Sequence, residues 1–129
     1  IKLRRHPWRS LKTKGSERDI PLVGASLWAA KRIVKNGHQF AFPVYTNSAK
    51  CSANSARAAL NKWLKSRVPT GCVIHSFRHS LRDRLRAVEC PPEIADAIGG
   101  WSNSGVGEKY GSGYGLKAIL RYLNEITMV

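Results

Sequence analysis

Four stretches of this chain carry apolar residues at helical spacing, a fifth opens on a proline pair, and short runs rich in Gly, Pro or Asn separate most of them. Leu27, Ala30, Ile33 and Val34 share one face between Ala25 and Lys35, and Asn36-Gly37 stops the run. Ala56, Ala59, Leu60, Trp63 and Leu64 form a second stripe within 50–65. Asn47 or Ser48 is placed to cap it, and Val68-Pro69-Thr70-Gly71 ends it. A third helix, from about Ser76 to Val88, is expected to bury Phe77, Leu81, Leu85 and Val88. Pro91-Pro92 opens a short fourth helix through Ile98, because proline suits a first turn, and Gly99-Gly100 closes it. Leu116, Ile119, Leu120, Leu123 and Ile126 define a C-terminal amphipathic helix. Repeated helical periodicity leaves little chain for sheet. The exception is residues 1–23, where "IKLRRHPWRSL" and "ERDIPLV" flank the turn-prone "KTKGS" and predict a β-hairpin, with Pro21 at an edge. "FAFPVY" (40–45) reads as a strand or a buried connector. Residues 102–115, rich in Gly and Ser, read as a mobile loop with one helical turn around Tyr110. The expectation is an α+β fold, mainly α, with a small antiparallel sheet near the N-terminus.

Charge narrows the function. Twenty-two Lys and Arg oppose eight Asp and Glu in 129 residues, a net charge of +14. Such an excess repels itself unless a polyanion offsets it, and nucleic acid is the usual partner. The cations run from Lys2 to Arg121 and are not gathered in a tail, so a folded basic face is expected. No apolar run approaches a membrane span, and neither end carries an amphipathic anchor or a signal peptide. The first residue is not Met, which points to a fragment or processed chain. Cys51, Cys72 and Cys90 are far apart and form no CxxC pair. They read as buried small apolar residues of a protein in a reducing cytosol, with no zinc site. The eight acids include no pair spaced to hold Mg²⁺, which disfavours a metal-dependent nuclease.

The chemistry concentrates in "HSFRH" (75–79). At i, i+3, i+4 and i+7 on a helix, His75, Arg78, His79 and Arg82 share one face. Guanidinium groups turned the same way clamp an anion well, since their planar forks match phosphate oxygens. The competing reading is an ordinary solvated basic face. Downstream, "GGWS" holds Trp101, and "EKYGSGYG" offers Tyr110 and Tyr114 as candidate nucleophiles.

In their order these residues resemble the tyrosine recombinase and phage integrase family. "HSFRH" is similar to its His-x-x-Arg-His box. "IGGWS" stands where the family has "LGH" or "LGW", and Tyr110 lies nine residues past Trp101, the family's usual step to its nucleophile. "LKTKGSERDIPL" is similar to the family's "KTxxSxRxVPL" hairpin, with Lys12 at the lysine position. The three motifs span nearly the whole chain, 1–129, read as the C-terminal part of a recombinase catalytic domain. The upstream arginine motif and the separate N-terminal DNA-binding domain are absent from it, so this piece by itself is expected to be inactive and to bind DNA weakly.

The resemblance implies site-specific DNA recombination or integration through a 3′-phosphotyrosine, with no cofactor and no metal. Tyr110 would attack, Arg78 and His75 would hold the scissile phosphate, Lys12 would protonate the departing 5′-oxygen, and Trp101 would donate its indole N–H. His79, Arg82, Lys14 and Arg18 would contact DNA. The expected partner is double-stranded DNA, bound by a self-assembled tetramer in a bacterial or phage-infected cytoplasm, with no membrane and no small-molecule substrate. Several alternatives stay open from the residues alone. Lys14 rivals Lys12, and Tyr114 rivals Tyr110. Trp101 could be plain core, and His75 could bond backbone at its helix start. The whole chain could also be a non-catalytic or decayed basic DNA-binding module.

Overall fold

A computed structural model describes residues 1–7, 10–11, 16–101 and 113–127. Among these, two short strands, β1 (Lys2–Leu3) and β2 (Arg18–Asp19), precede five helices. These are α1 (Gly24–Lys35), α2 (Ala53–Leu64), α3 (Ser76–Ala87), α4 (Pro92–Gly99) and α5 (Leu116–Glu125). The fold is mainly helical with a small antiparallel sheet, and all five helices fall where the apolar spacing and the Pro and Gly punctuation predict them. β1 and β2 pair Lys2 with Asp19 and Leu3 with Arg18. Each strand is only two residues long, so side chains reinforce the ladder. Arg4 donates to the β2 carbonyl of Arg18 at 3.1 Å and pairs with the Asp19 carboxylate at 2.6 Å.

The core is built by α3, α4 and α5. Leu85, Cys90, Ile94, Ala95, Ile98, Ile119, Leu123 and Ile126 are buried together, with Leu85 fully enclosed. Ile20 and Val23, just past the hairpin, pack against this cluster. Leu81 and Val88 join it from α3, but Phe77 does not and remains 61% exposed. Phe77 lies on the first turn of α3, while the packed apolar residues of that helix come from its later turns. Periodicity marks the face but not how far along the helix a partner reaches.

The same distinction separates α1 and α2 from the core. No residue of α1 is buried, and α2 buries Leu64 alone. Leu60, Trp63 and Val34 stay exposed, so the described elements leave these two stripes largely uncovered. "FAFPVY" is neither strand nor buried connector. It forms turns that hold Phe42 and Val44 at the surface, and Tyr45 and Thr46 donate back to the Phe42 carbonyl. Asn47 does not cap α2. Its side-chain oxygen accepts from the Ala49 and Lys50 amides in a local turn, and the helix begins only after Ser52. Cys51 and Cys72 are exposed, correcting the expectation that all three thiols are buried; only Cys90 is.

Two connections fix the functional end. The Asn61 side chain of α2 accepts from the Ile74 amide at 2.8 Å, and the Ser76 hydroxyl accepts from the Val73 amide at 3.1 Å. Together they set the entry of α3 at His75. The second connection is the close of α4. Gly100 takes a left-handed φ of 61°, and the Trp101 amide reaches back to the Asp96 carbonyl at 3.1 Å. This six-residue closure is a Schellman turn, and it needs a residue indifferent to positive φ.

Candidate phosphate-binding site

The Schellman turn throws Trp101 back across the end of α4. The indole occupies the space beside the Gly99 α-carbon where a β-carbon would stand. Trp101 is thereby half-buried against the core while its ring faces α3. Two arginines of α3, one turn apart, lie over that ring. Arg78 and Arg82 each place the guanidinium carbon 4.7 Å from a Trp101 ring centroid. The ring's negative face attracts both cations, so one aromatic holds two like charges side by side. Trp101 is therefore both a core residue and a site residue.

Each guanidinium has a second anchor. Arg78 Nη1 donates to the Gly99 carbonyl at 2.9 Å. Arg82 Nη1 stands 3.3 Å from Oδ1 of Asp96, whose side chain is only 1% exposed. Arg18 arrives from β2, about eighty residues earlier in the chain. Its Nε donates to the Ile98 carbonyl at 3.2 Å, Nη2 to the Gly99 carbonyl at 3.2 Å, and Nη1 to the Ser16 carbonyl at 3.0 Å. The last carbonyls of a helix lack intrahelical partners and carry its negative dipole end, so cations suit them. The Gly99 oxygen accepts from Arg18 and Arg78 at once. Burial, and secondarily the nearby Arg78 charge, lowers the Arg18 pKa from its ordinary value.

His75, Arg78, His79, Arg82, Asp83, Arg86 and Trp101 line one concavity of about 320 Å³. His75 stands at the N-terminal end of α3 and makes no capping hydrogen bond with its side chain, so the backbone-bonded alternative is not what the structure has. Its ring meets His79 edge to face, with centroids 5.5 Å apart. Asp83 is turned to Arg86 at 3.0 Å in an exposed pair. Setting that pair aside, Arg18 and Arg78 share the Gly99 carbonyl while Arg82 pairs with the buried Asp96 carboxylate, so three guanidinium groups meet the end of α4. This is a preorganised cationic cluster with surplus charge, suited to an oxyanion.

The structure thus brings together His75, Arg78, His79, Arg82 and Trp101. Lys12, Lys14 and Tyr110 lie outside the described residues. Tyr114 lines a different concavity, with Arg4, Glu17, Arg18 and Asp19, and not the one bearing His75 and Arg78. Tyr122 packs against the core. Sequence reasoning missed Asp96 and Gly99. Asp96 sits within the apolar run of α4, where a lone acid four residues before Gly100 is the signal that could have marked it. Among the described residues no group of three or more His, Cys, Asp or Glu is arranged to hold a metal ion, and no helix is long and apolar enough to cross a membrane. No family model, curated protein or solved structure matches the chain.

Proposed function

We propose that this chain is the phosphate-holding portion of a tyrosine recombinase and that it acts in site-specific DNA recombination or integration. One observation carries the reading. His75 and Arg78 of the "HSFRH" box and Trp101 of "GGWS", more than twenty residues downstream, line a single cationic concavity. A helix that merely repelled its own charge into solvent has no need of a tryptophan ring that carries two of its arginines.

In this reading a scissile phosphate enters the concavity. Arg78 offers it the guanidinium donors not spent on Gly99, since arginine has five N–H groups. His75 and the Trp101 indole N–H donate to the same non-bridging oxygens. Tyr110 loses its phenolic proton to water and attacks phosphorus, the bond to the 5′-oxygen breaks, and that oxygen takes a proton from Lys12, leaving a 3′-phosphotyrosine and a 5′-hydroxyl. Attack by a 5′-hydroxyl of another strand reverses the bond exchange and frees the tyrosine. The phosphodiester is conserved throughout, and the charge on its oxygens is met by side chains. Double-stranded DNA is the partner, and strand exchange needs several copies on one DNA, as in a tetramer.

The test is covalent capture. Full-length protein is incubated with a nicked duplex labelled so that only a 3′-linked adduct is retained. Tyr110→Phe is expected to abolish the adduct while duplex affinity changes by less than about twofold. An adduct that survives Tyr110→Phe and disappears in Tyr114→Phe overturns the nucleophile. Tight duplex binding with no adduct in the wild type favours a basic DNA-binding module instead.

A further inference from the structure

We propose that Arg18 is a positioning residue that holds Arg78 and Trp101 in place, and that it does not contact DNA phosphate. The proposal rests on the phosphate-binding reading above.

The case begins with where its donors point. All three guanidinium nitrogens of Arg18 are turned to backbone carbonyls, those of Ile98, Ser16 and Gly99. Two of these are the terminal carbonyls of α4, and the third belongs to the approach to β2. Arg18 therefore cross-links the hairpin to the far end of α4. A side chain used in this way is half-buried, and burial is the main reason its pKa is lowered. A cation reaching for a DNA backbone would be expected to snorkel outward instead.

Gly100 reports the same design. A β-carbon at Gly100 would run into the Arg18 guanidinium, just as one at Gly99 would run into the Trp101 ring. The two glycines thus let Trp101 and Arg18 both close on one turn. Arg78 shares its acceptor, the Gly99 oxygen, with Arg18. Fixing that carbonyl fixes the acceptor of Arg78, and fixing the turn fixes the ring on which Arg78 and Arg82 stack. Arg18 acts on the site through these two residues.

A lysine keeps the charge but has one nitrogen and cannot bridge three carbonyls. The test uses the full chain, a 20-base-pair duplex and the variants Arg18→Lys, Arg78→Ala and their combination. Arg18→Lys is expected to weaken duplex binding about tenfold in the wild-type background and by less than about twofold in Arg78→Ala, because its effect passes through Arg78. In the DNA-free protein the Trp101 indole N–H resonance is expected to shift and broaden in Arg18→Lys, while thermal unfolding stays cooperative. Full retention of affinity by Arg18→Lys, or an equal loss in both backgrounds, overturns the proposal. So does an unmoved Trp101 resonance. A wild-type chain that binds no duplex overturns the DNA reading before any variant is made, and the resonance still decides the role of Arg18.

Discussion

The Trp101 indole lies against the α-carbon of Gly99, filling the volume a side chain at that position would need. The contact links the close of α4 to the ring that carries Arg78 and Arg82. Gly99→Ala is expected to destabilise the fold by about 2–3 kcal/mol, because the methyl must expel a half-buried ring. Gly100→Ala adds left-handed backbone strain of about 1–2 kcal/mol to its collision with Arg18. Urea unfolding monitored by far-UV circular dichroism measures both, and wild-type stability in Gly99→Ala would rule out the packing described.

Arg82 and Asp96 form an uneven pair, since the carboxylate is 1% exposed and the guanidinium 36%. Removing the arginine takes this cation away from a carboxylate enclosed in the core, whereas an arginine deprived of its partner still reaches water. Arg82→Met is therefore expected to cost about 3 kcal/mol. Arg86→Met, which breaks the exposed pair with Asp83, is expected to cost less than about 0.5 kcal/mol. Equal midpoints in denaturant for the two variants would show that Asp96 is satisfied without Arg82.

The cationic cluster should make the fold sensitive to oxyanions. Sulfate bound at about ten times its dissociation constant would stabilise the native state by about 1.4 kcal/mol. Sodium sulfate is thus expected to raise the melting temperature above that in sodium chloride of matched ionic strength. Most of that difference should vanish in Arg78→Ala. An undiminished sulfate effect in the variant would mean that it arises from general exclusion at the surface.

Cysteine reactivity separates two environments. Cys51 and Cys72 are exposed and should react with a disulfide reagent at pH 8 within minutes, whereas Cys90 should react only on unfolding. Burial, reinforced by the Glu125 charge, raises the Cys90 pKa. A raised thiol pKa means that the unfolded chain loses its proton first as pH rises. The stabilisation is complete below the ordinary thiol pKa and is lost as pH climbs through the raised one. Stability is expected to fall as pH rises above the ordinary thiol pKa, with part of that fall absent in Cys90→Ala. A third thiol labelled as fast as the other two would contradict the core assignment.

Much of the architecture could be read from local pattern. Helical periodicity located four of the helices, Pro91-Pro92 the start of α4, and the breakers Asn36-Gly37 and Gly99-Gly100 two of the ends, because hydrogen bonding within a helix and the sterics of Gly and Pro act over a few residues. The i, i+3, i+4 and i+7 spacing likewise put His75, Arg78, His79 and Arg82 on one face of α3. Local pattern failed where the answer depended on a neighbour. Phe77, Leu60 and Val34 look like core in sequence but find no covering element among the described residues. Asn47, a plausible cap, closes its own turn instead.

The sequence by itself determined which segments coil, the net charge of +14, and which face of α3 is cationic. Tertiary structure alone decided that Trp101 lies beneath both Arg78 and Arg82, that Asp96 is buried beside Arg82, and that Arg18 spends its guanidinium on the end of α4. Helix and turn formation depend on residues within about one turn, whereas these contacts join groups fourteen to eighty-one residues apart. Their geometry exists only after α3, α4 and the hairpin have packed, and no local propensity encodes it.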